Sequence, residues 1–175
     1  MHKQSRRSIR LKEYDYSEEG LYFITICCKD KKSMFGYVCN GAMILNEAGK
    51  YAQECWENIP DHFPNVRIDE FIIMPNHIHG ILEIMVRANN NSPLQRFENE
   101  NTVKGTKGTI GSIVRGFKIG VTKWMRLNTN IQDVWQRNYY DHIILTYNSY
   151  CSITNYIMCN PEMWHKDRFN NDNND

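Results

Sequence analysis

No stretch of this chain stays apolar for the roughly 18–20 positions that a membrane-crossing helix needs. The basic N-terminus, MHKQSRRSIRLK, runs straight into charged and aromatic residues without the apolar core of a signal peptide, so neither membrane insertion nor secretion is expected. Cysteines paired at metal-binding spacing are also missing. Cys27, Cys28, Cys39, Cys55, Cys151 and Cys159 are scattered, several in apolar stretches where a reduced thiol packs as a small hydrophobe, and a reducing cytoplasm is the simplest home. A GxxxxGK[ST] phosphate loop is absent, which argues against nucleotide-driven chemistry. Net charge is almost absent, at +1, but that sum hides two local gaps. Residues 1–12 hold Lys3, Arg6, Arg7, Arg10 and Lys12 with no acid, and residues 102–132 hold Lys104, Lys107, Arg115, Lys118, Lys123 and Arg126, again with none. Such segregation suits a binder of phosphate backbones, and it equally suits a solvated face.

What is present fits one domain: 175 residues, 41% hydrophobic and 23% charged. GLYFITICC (20–28) reads as a buried strand, and FGYVCNGAMIL (35–45) as a hairpin turning at Asn40-Gly41. NEAGKYAQECWENIPDHF (46–63) has an Asn46 cap and helical apolar spacing, with Pro60 and Pro64 marking its end. VRIDEFIIM and HIHGILEIMV follow as two strands across Pro75-Asn76. The polar, Asn-rich segment 87–109 is expected to be a flexible surface loop within the single domain 1–175. From Ile110, apolar residues recur every three to four positions as an amphipathic helix; DHIILT is a further strand; residues 149–161 form a last helix stopped by Asn160-Pro161. Residues 169–175 are expected to be a disordered tail. The order predicts an α+β fold: a ferredoxin-like βαββαβ antiparallel sheet with helices on one face, an extra β-hairpin and an appended C-terminal helix.

Chemistry concentrates in EFIIMPNHIHGILEI (70–84). Strand alternation sends His77 and His79 to one face, a few ångströms apart, which is a geometry for a metal ion as well as for two merely hydrogen-bonded imidazoles. On the last helix Tyr156 and Asn160 are four residues apart, so a phenol and an amide oxygen can approach one point.

MPNHIHGIL, WQRNYYDHII and NYIMCNP, in that order and with RRSIRLKEYDYSEEGLYFITICC before them, resemble the REP-associated tyrosine transposases of the HUH (His-hydrophobe-His) endonuclease superfamily. The resemblance implies that His77, His79 and Asn160 bind a divalent metal and that Tyr156 is the nucleophile. It also implies cleavage of single-stranded DNA beside a hairpin, leaving a 5′-phosphotyrosine and a free 3′-hydroxyl, in the service of DNA transposition or recombination. Oxygen and imidazole ligands suit Mg²⁺ or Mn²⁺. A divalent ion on a non-bridging oxygen would orient the phosphorus and offset charge growing in the transition state. For DNA contacts the candidates are Arg6, Arg7, Arg10, Lys118, Lys123 and Arg137, with Tyr139 and Tyr140 as stacking platforms for unpaired bases. Glu83 shares strand parity with the histidines and reads as a solvent-facing residue before an outer ligand; His142 reads as structural, or as a partner behind a ligand, before a ligand itself. The resemblance leans toward a monomer over a homodimer, acting in the cytoplasm at the nucleoid. The alternative is a domesticated hairpin-DNA binder that serves regulation or repeat maintenance.

Overall fold

The structure is a computed structural model in which residues 19–85 and 108–170 are described. Arg6, Arg7 and Arg10, and nearly all of the expected 87–109 loop, lie outside those residues. Four strands form the main sheet: β1 (Gly20–Cys27), β4 (Val66–Ile73), β5 (His77–Ile84) and β6 (Tyr140–Ile144), in the order β4-β5-β1-β6 with every neighbouring pair antiparallel. Between β1 and β4 the chain makes the expected hairpin of β2 (Gly36–Cys39) and β3 (Ala42–Leu45). Its turn residues Asn40 and Gly41 both take positive φ, 50° and 74°, the handedness that matches strand twist in a two-residue hairpin loop. Crossovers through α1 (Glu47–Glu57), with the short α2 (Ile59–His62), and through α3 (Ile110–Asn128) complete a ferredoxin-like βαββαβ unit, and α4 (Tyr147–Cys159) follows β6.

Helix starts follow the side chains that satisfy them. Asn46 accepts from Gly49 N–H, Thr109 from Ser112 N–H and Thr146 from Ser149 N–H, each taking up one orphan donor of a first turn. Capped by Thr146, α4 therefore starts at Tyr147, two residues before the Ser149 expected from pattern.

The sheet has two covered faces. Tyr22, Ile24, Ile26, Ile78 and Leu82 meet Ala52, Trp56, Ile113, Phe117 and Val121 of α1 and α3 in the main core. Residues of opposite parity, Leu21, Phe23, Ile72 and Ile81, pack with Ile144 and with Ile153 and Ile157 of α4 in a second, smaller cluster. The crossover helices α1 and α3 thus share one face as expected, and the appended α4 covers the other, because it carries its own apolar stripe back over the sheet. Gly80, between these layers, admits no side chain: a Cβ there would lie 2.3 Å from Trp56 Cζ2.

After α4 the chain continues as a strap through a 3₁₀ turn at Trp164–Lys166. Phe169 and Asn170, expected to open a disordered tail, are buried, since Phe169 packs on the histidines of β5 and Asn170 Nδ2 donates to Trp164 O. Among the described residues no helix is long and apolar enough to cross a membrane.

Candidate active site

The β1–β5 register sets the histidines. Thr25 lies directly opposite His79, and Cys27 opposite His77, so these four side chains share the face toward α4. Thr25 Oγ1 is 2.8 Å from His79 Nδ1. His77 Nδ1 is 2.9 Å from Asn76 Oδ1. Asn76 cannot present its nitrogen there, because Nδ2 already donates to Lys31 O (3.0 Å) and Phe169 O (2.7 Å). The Asn76 oxygen must therefore accept from His77 Nδ1–H, which fixes the tautomer and leaves the lone pair on His77 Nε2. That atom is buried and has no hydrogen-bond partner.

Both imidazoles are held neutral. Burial, then the charges of Arg168 and Lys31, lowers His77 to about 3. Burial, then neighbouring His77, holds His79 well below its ordinary range. Neutral imidazole is the form that ligates a metal. The rings lie 4.5 Å apart, centroid to centroid.

Helix α4 delivers the other two expected residues. Ile153 and Ile157 face the sheet, and this turns Tyr156 toward β5, with Oη 3.1 Å from His79 Nε2 and its ring edge-on to Phe23. Tyr156 keeps 42% of its surface exposed; partial burial, then the Asp167 charge, raises its phenol above the usual value. One turn on, Asn160 is buried at the helix end. Its Nδ2 faces Asp167 Oδ2 at 3.1 Å, and because a carboxylate only accepts, this orients Asn160 Oδ1 away, where it is buried without a partner.

Asp167 completes the cluster: one ligand atom each from His77, His79 and Asp167 lie within 4.8 Å of one another. Two unpartnered buried polar atoms, His77 Nε2 and Asn160 Oδ1, beside a carboxylate and a second imidazole fit a divalent cation. Asp167, Asn76, Thr25 and Phe169 were all missed in the sequence reading. Only Asn76, adjoining the histidines, carried a usable signal there.

The remaining candidates sit elsewhere. Glu83 is paired with Arg67 (2.6 Å), and His142 is exposed opposite Phe23. Tyr150 Oη donates to Asp69 (2.9 Å). Arg115, Lys118, Lys123, Arg126 and Arg137 line a groove of about 950 Å³ along α3 and residues 136–139, and among the described residues no acidic one lines it. Lys118 is turned inward: its Nζ donates to Gln136 O (2.9 Å) and Asn138 O (2.6 Å), and burial lowers its pKa to about 8. Lys123 and Arg137 are exposed, as is Tyr140, over which the Arg168 guanidinium lies at 5.9 Å; Tyr139 also lines the groove.

No family model matches the chain. An uncharacterised protein of Haemophilus influenzae is 58% identical over 165 residues, spanning 93% of this chain and 92% of its own. Among solved structures, a REP-associated tyrosine transposase bound to a REP hairpin superposes with a TM-score of 0.57 at 16% identity, over 94% of this chain and 74% of that one. A putative transposase from Deinococcus radiodurans gives a TM-score of 0.46 at 13% identity, over 86% and 96%. The first of these superpositions shows a transposase-like fold.

Proposed function

From a chain that belongs to the family of the Haemophilus influenzae protein and has a transposase-like fold, we propose a metal-dependent single-stranded DNA endonuclease and strand transferase with Tyr156 as its nucleophile. The observation that carries this reading is the meeting of Tyr156 Oη with His79 Nε2 at 3.1 Å, beside two unpartnered buried ligand atoms. A half-exposed phenol at the mouth of a buried donor cluster can reach a phosphodiester from solvent, whereas a merely structural tyrosine has no need of that neighbourhood. Hairpin DNA is the proposed substrate because the structural neighbour is bound to one.

In this mechanism Tyr156 Oη attacks phosphorus and the P–O3′ bond breaks. The phosphate stays on the enzyme as a 5′-phosphotyrosine, and the leaving oxygen takes up a proton to become a 3′-hydroxyl. His77, His79 and Asn160 would hold a Mg²⁺ or Mn²⁺ ion, which when bound supplies Lewis-acid stabilisation of the phosphoryl oxygens. Thr25 and Asn76 orient the two imidazoles from behind. With Nδ1 engaged by Thr25, His79 has one lone pair, on Nε2, which accepts from the phenol in the metal-free site and would be taken by the ion when it binds; in either state His79 does not take the phenol's proton, which passes to solvent at the open side. One ester replaces another, so the reaction runs backward onto a new 3′-hydroxyl without a nucleotide cofactor. Lys123, Arg137, Tyr139 and Tyr140, with Arg6, Arg7 and Arg10, are the proposed contacts to the strand. Tyr156 reaches His79 of its own chain, which supports a monomer as the working unit.

The test is incubation with 5′- and 3′-labelled hairpin oligonucleotides, in Mn²⁺ or EDTA, beside Tyr156→Phe. A metal-dependent, gel-shifted adduct carrying the downstream DNA and absent from the variant is expected. Cleavage that survives Tyr156→Phe would mean that water is the nucleophile and would overturn the assignment; binding without any adduct would leave a hairpin-binding protein.

A further inference from the structure

The geometry points to Asp167 as a further ligand of the divalent ion, which makes the centre a two-histidine, one-carboxylate set joined by Asn160 rather than a wholly neutral one. This inference rests on the reading of the His77–His79 cluster as a metal centre. Asp167 is buried at 8% exposure, and its carboxylate lies within 4.8 Å of ligand atoms of both histidines. A carboxylate removed from water needs a cation or strong donors. Its donors are neutral: Asn160 Nδ2 at 3.1 Å on one oxygen and Phe169 N–H at 2.7 Å on the other. Among the described residues no lysine or arginine forms an ion pair with it. The adjacent Arg168 forms no ion pair with it; its guanidinium lies over aromatic rings instead, 4.6 Å from the Phe169 ring centroid and 5.9 Å from that of Tyr140. The nearest unpartnered polar atoms, His77 Nε2 and Asn160 Oδ1, are lone pairs. An anion and two lone pairs gathered in one dry place describe a cation's coordination shell.

The strap that bears Asp167 is pinned immediately after it. Asn76 Nδ2 holds Phe169 O at 2.7 Å, Lys31 Nζ holds Arg168 O at 2.7 Å, and the Phe169 ring sits 4.6 Å from the His77 ring. Asn76 thus orients His77 and fixes the strap that places Asp167, so one side chain sets two of the ligands. A carboxylate in the set reduces the loaded centre's charge from +2 to +1 and favours hard, oxygen-seeking ions such as Mn²⁺ and Mg²⁺.

The test titrates MnCl₂ into the full chain by calorimetry and counts inner-sphere waters on bound Mn²⁺ by water-proton relaxation. Asp167→Asn keeps an oxygen to accept from Phe169 N–H but removes the charge and replaces the acceptor of Asn160 Nδ2 by an NH₂ group, so its melting temperature in EDTA should fall by no more than the loss of one hydrogen bond explains, while Mn²⁺ affinity falls about tenfold or more. In wild type, four protein ligands leave about two waters of an octahedral shell, and three ligands leave about three. Three waters, or Asp167→Asn with wild-type affinity while His77→Ala loses Mn²⁺, would overturn the role of Asp167 and leave the metal centre standing. Failure of wild type to bind Mn²⁺ at all would overturn the metal centre itself.

Discussion

Asn76→Ala should be among the most damaging single substitutions near the site. Asn76 is 1% exposed and makes three side-chain hydrogen bonds, to His77 Nδ1, Lys31 O and Phe169 O. At about 1 kcal/mol for each lost bond, with the partners left unpaired in a buried setting, the loss of folding stability is about 3 kcal/mol. The site loses more than stability. Without its acceptor, His77 is free to move its proton to Nε2 and withdraw the ligand lone pair, and the strap loses its hold at Phe169. Removing such an orienting partner weakens metal binding by about 10–100-fold. Urea unfolding in EDTA reads the first effect and MnCl₂ titration of the folded variant reads the second. A variant within about 1 kcal/mol of wild type that still binds Mn²⁺ with wild-type affinity would refute this account of how the histidines are set.

Gly80→Ala should cost about 3 kcal/mol, the upper end for overpacking, because the new methyl meets the fully buried Trp56 ring and Phe71 Cβ; a thermal melt should fall by several degrees, and an unchanged melt would contradict the packing described. Because the folded state lowers the pKa of both histidines, it binds fewer protons than the unfolded chain below their ordinary value near 6.5, and for His77 this holds down to about 3. Their stabilising contribution is complete above pH 6.5 and is lost as pH falls, with a slope near ~1.4 kcal/mol per pH unit for each histidine. Replacing His77 by Gln should reduce that slope by about one proton in denaturant melts between pH 6 and 5. Lys123→Ala and Arg137→Ala should each weaken hairpin-DNA binding and lower the salt-dependence slope by about one, measured by anisotropy across a salt series. Lys118→Met should act on stability instead, since it unpairs the Gln136 and Asn138 carbonyls, and a pure loss of DNA affinity with an unchanged melt would contradict its inward placement.

The strands, the hairpin and the capped helices were legible because each is written locally: β-branched and aromatic residues in GLYFITIC, Asn40-Gly41 at a two-residue turn, and Asn46 before an apolar stripe. His77 and His79 were legible for the same reason, since strand parity alone puts them on one face. The placement of α4 against the opposite face of the sheet was not, because it depends on which parity of β1 and β5 is left uncovered once α1 and α3 have packed. Phe169 opens the stretch whose Asn/Asp-rich composition reads as tail, and Asp167 stands just before it, past the last helix that the pattern marks. They are ordered by bonds across long sequence separations, such as Asn76 to Phe169, 93 residues apart, which no local pattern encodes. Lys118 shows the same limit. A basic residue on an amphipathic helix looks identical whether it faces phosphate or, as here, two carbonyls of another segment.

The most direct test of the central claim is to trap the product of a Mn²⁺ reaction with a hairpin oligonucleotide, digest it with trypsin and fragment the peptide spanning residues 138–166. That peptide also contains Tyr139, Tyr140, Tyr147 and Tyr150, so the fragments decide among five phenols. The account predicts a nucleotide phosphate on Tyr156 alone; the adduct on any other tyrosine, or cleaved DNA with no modified peptide, would contradict it.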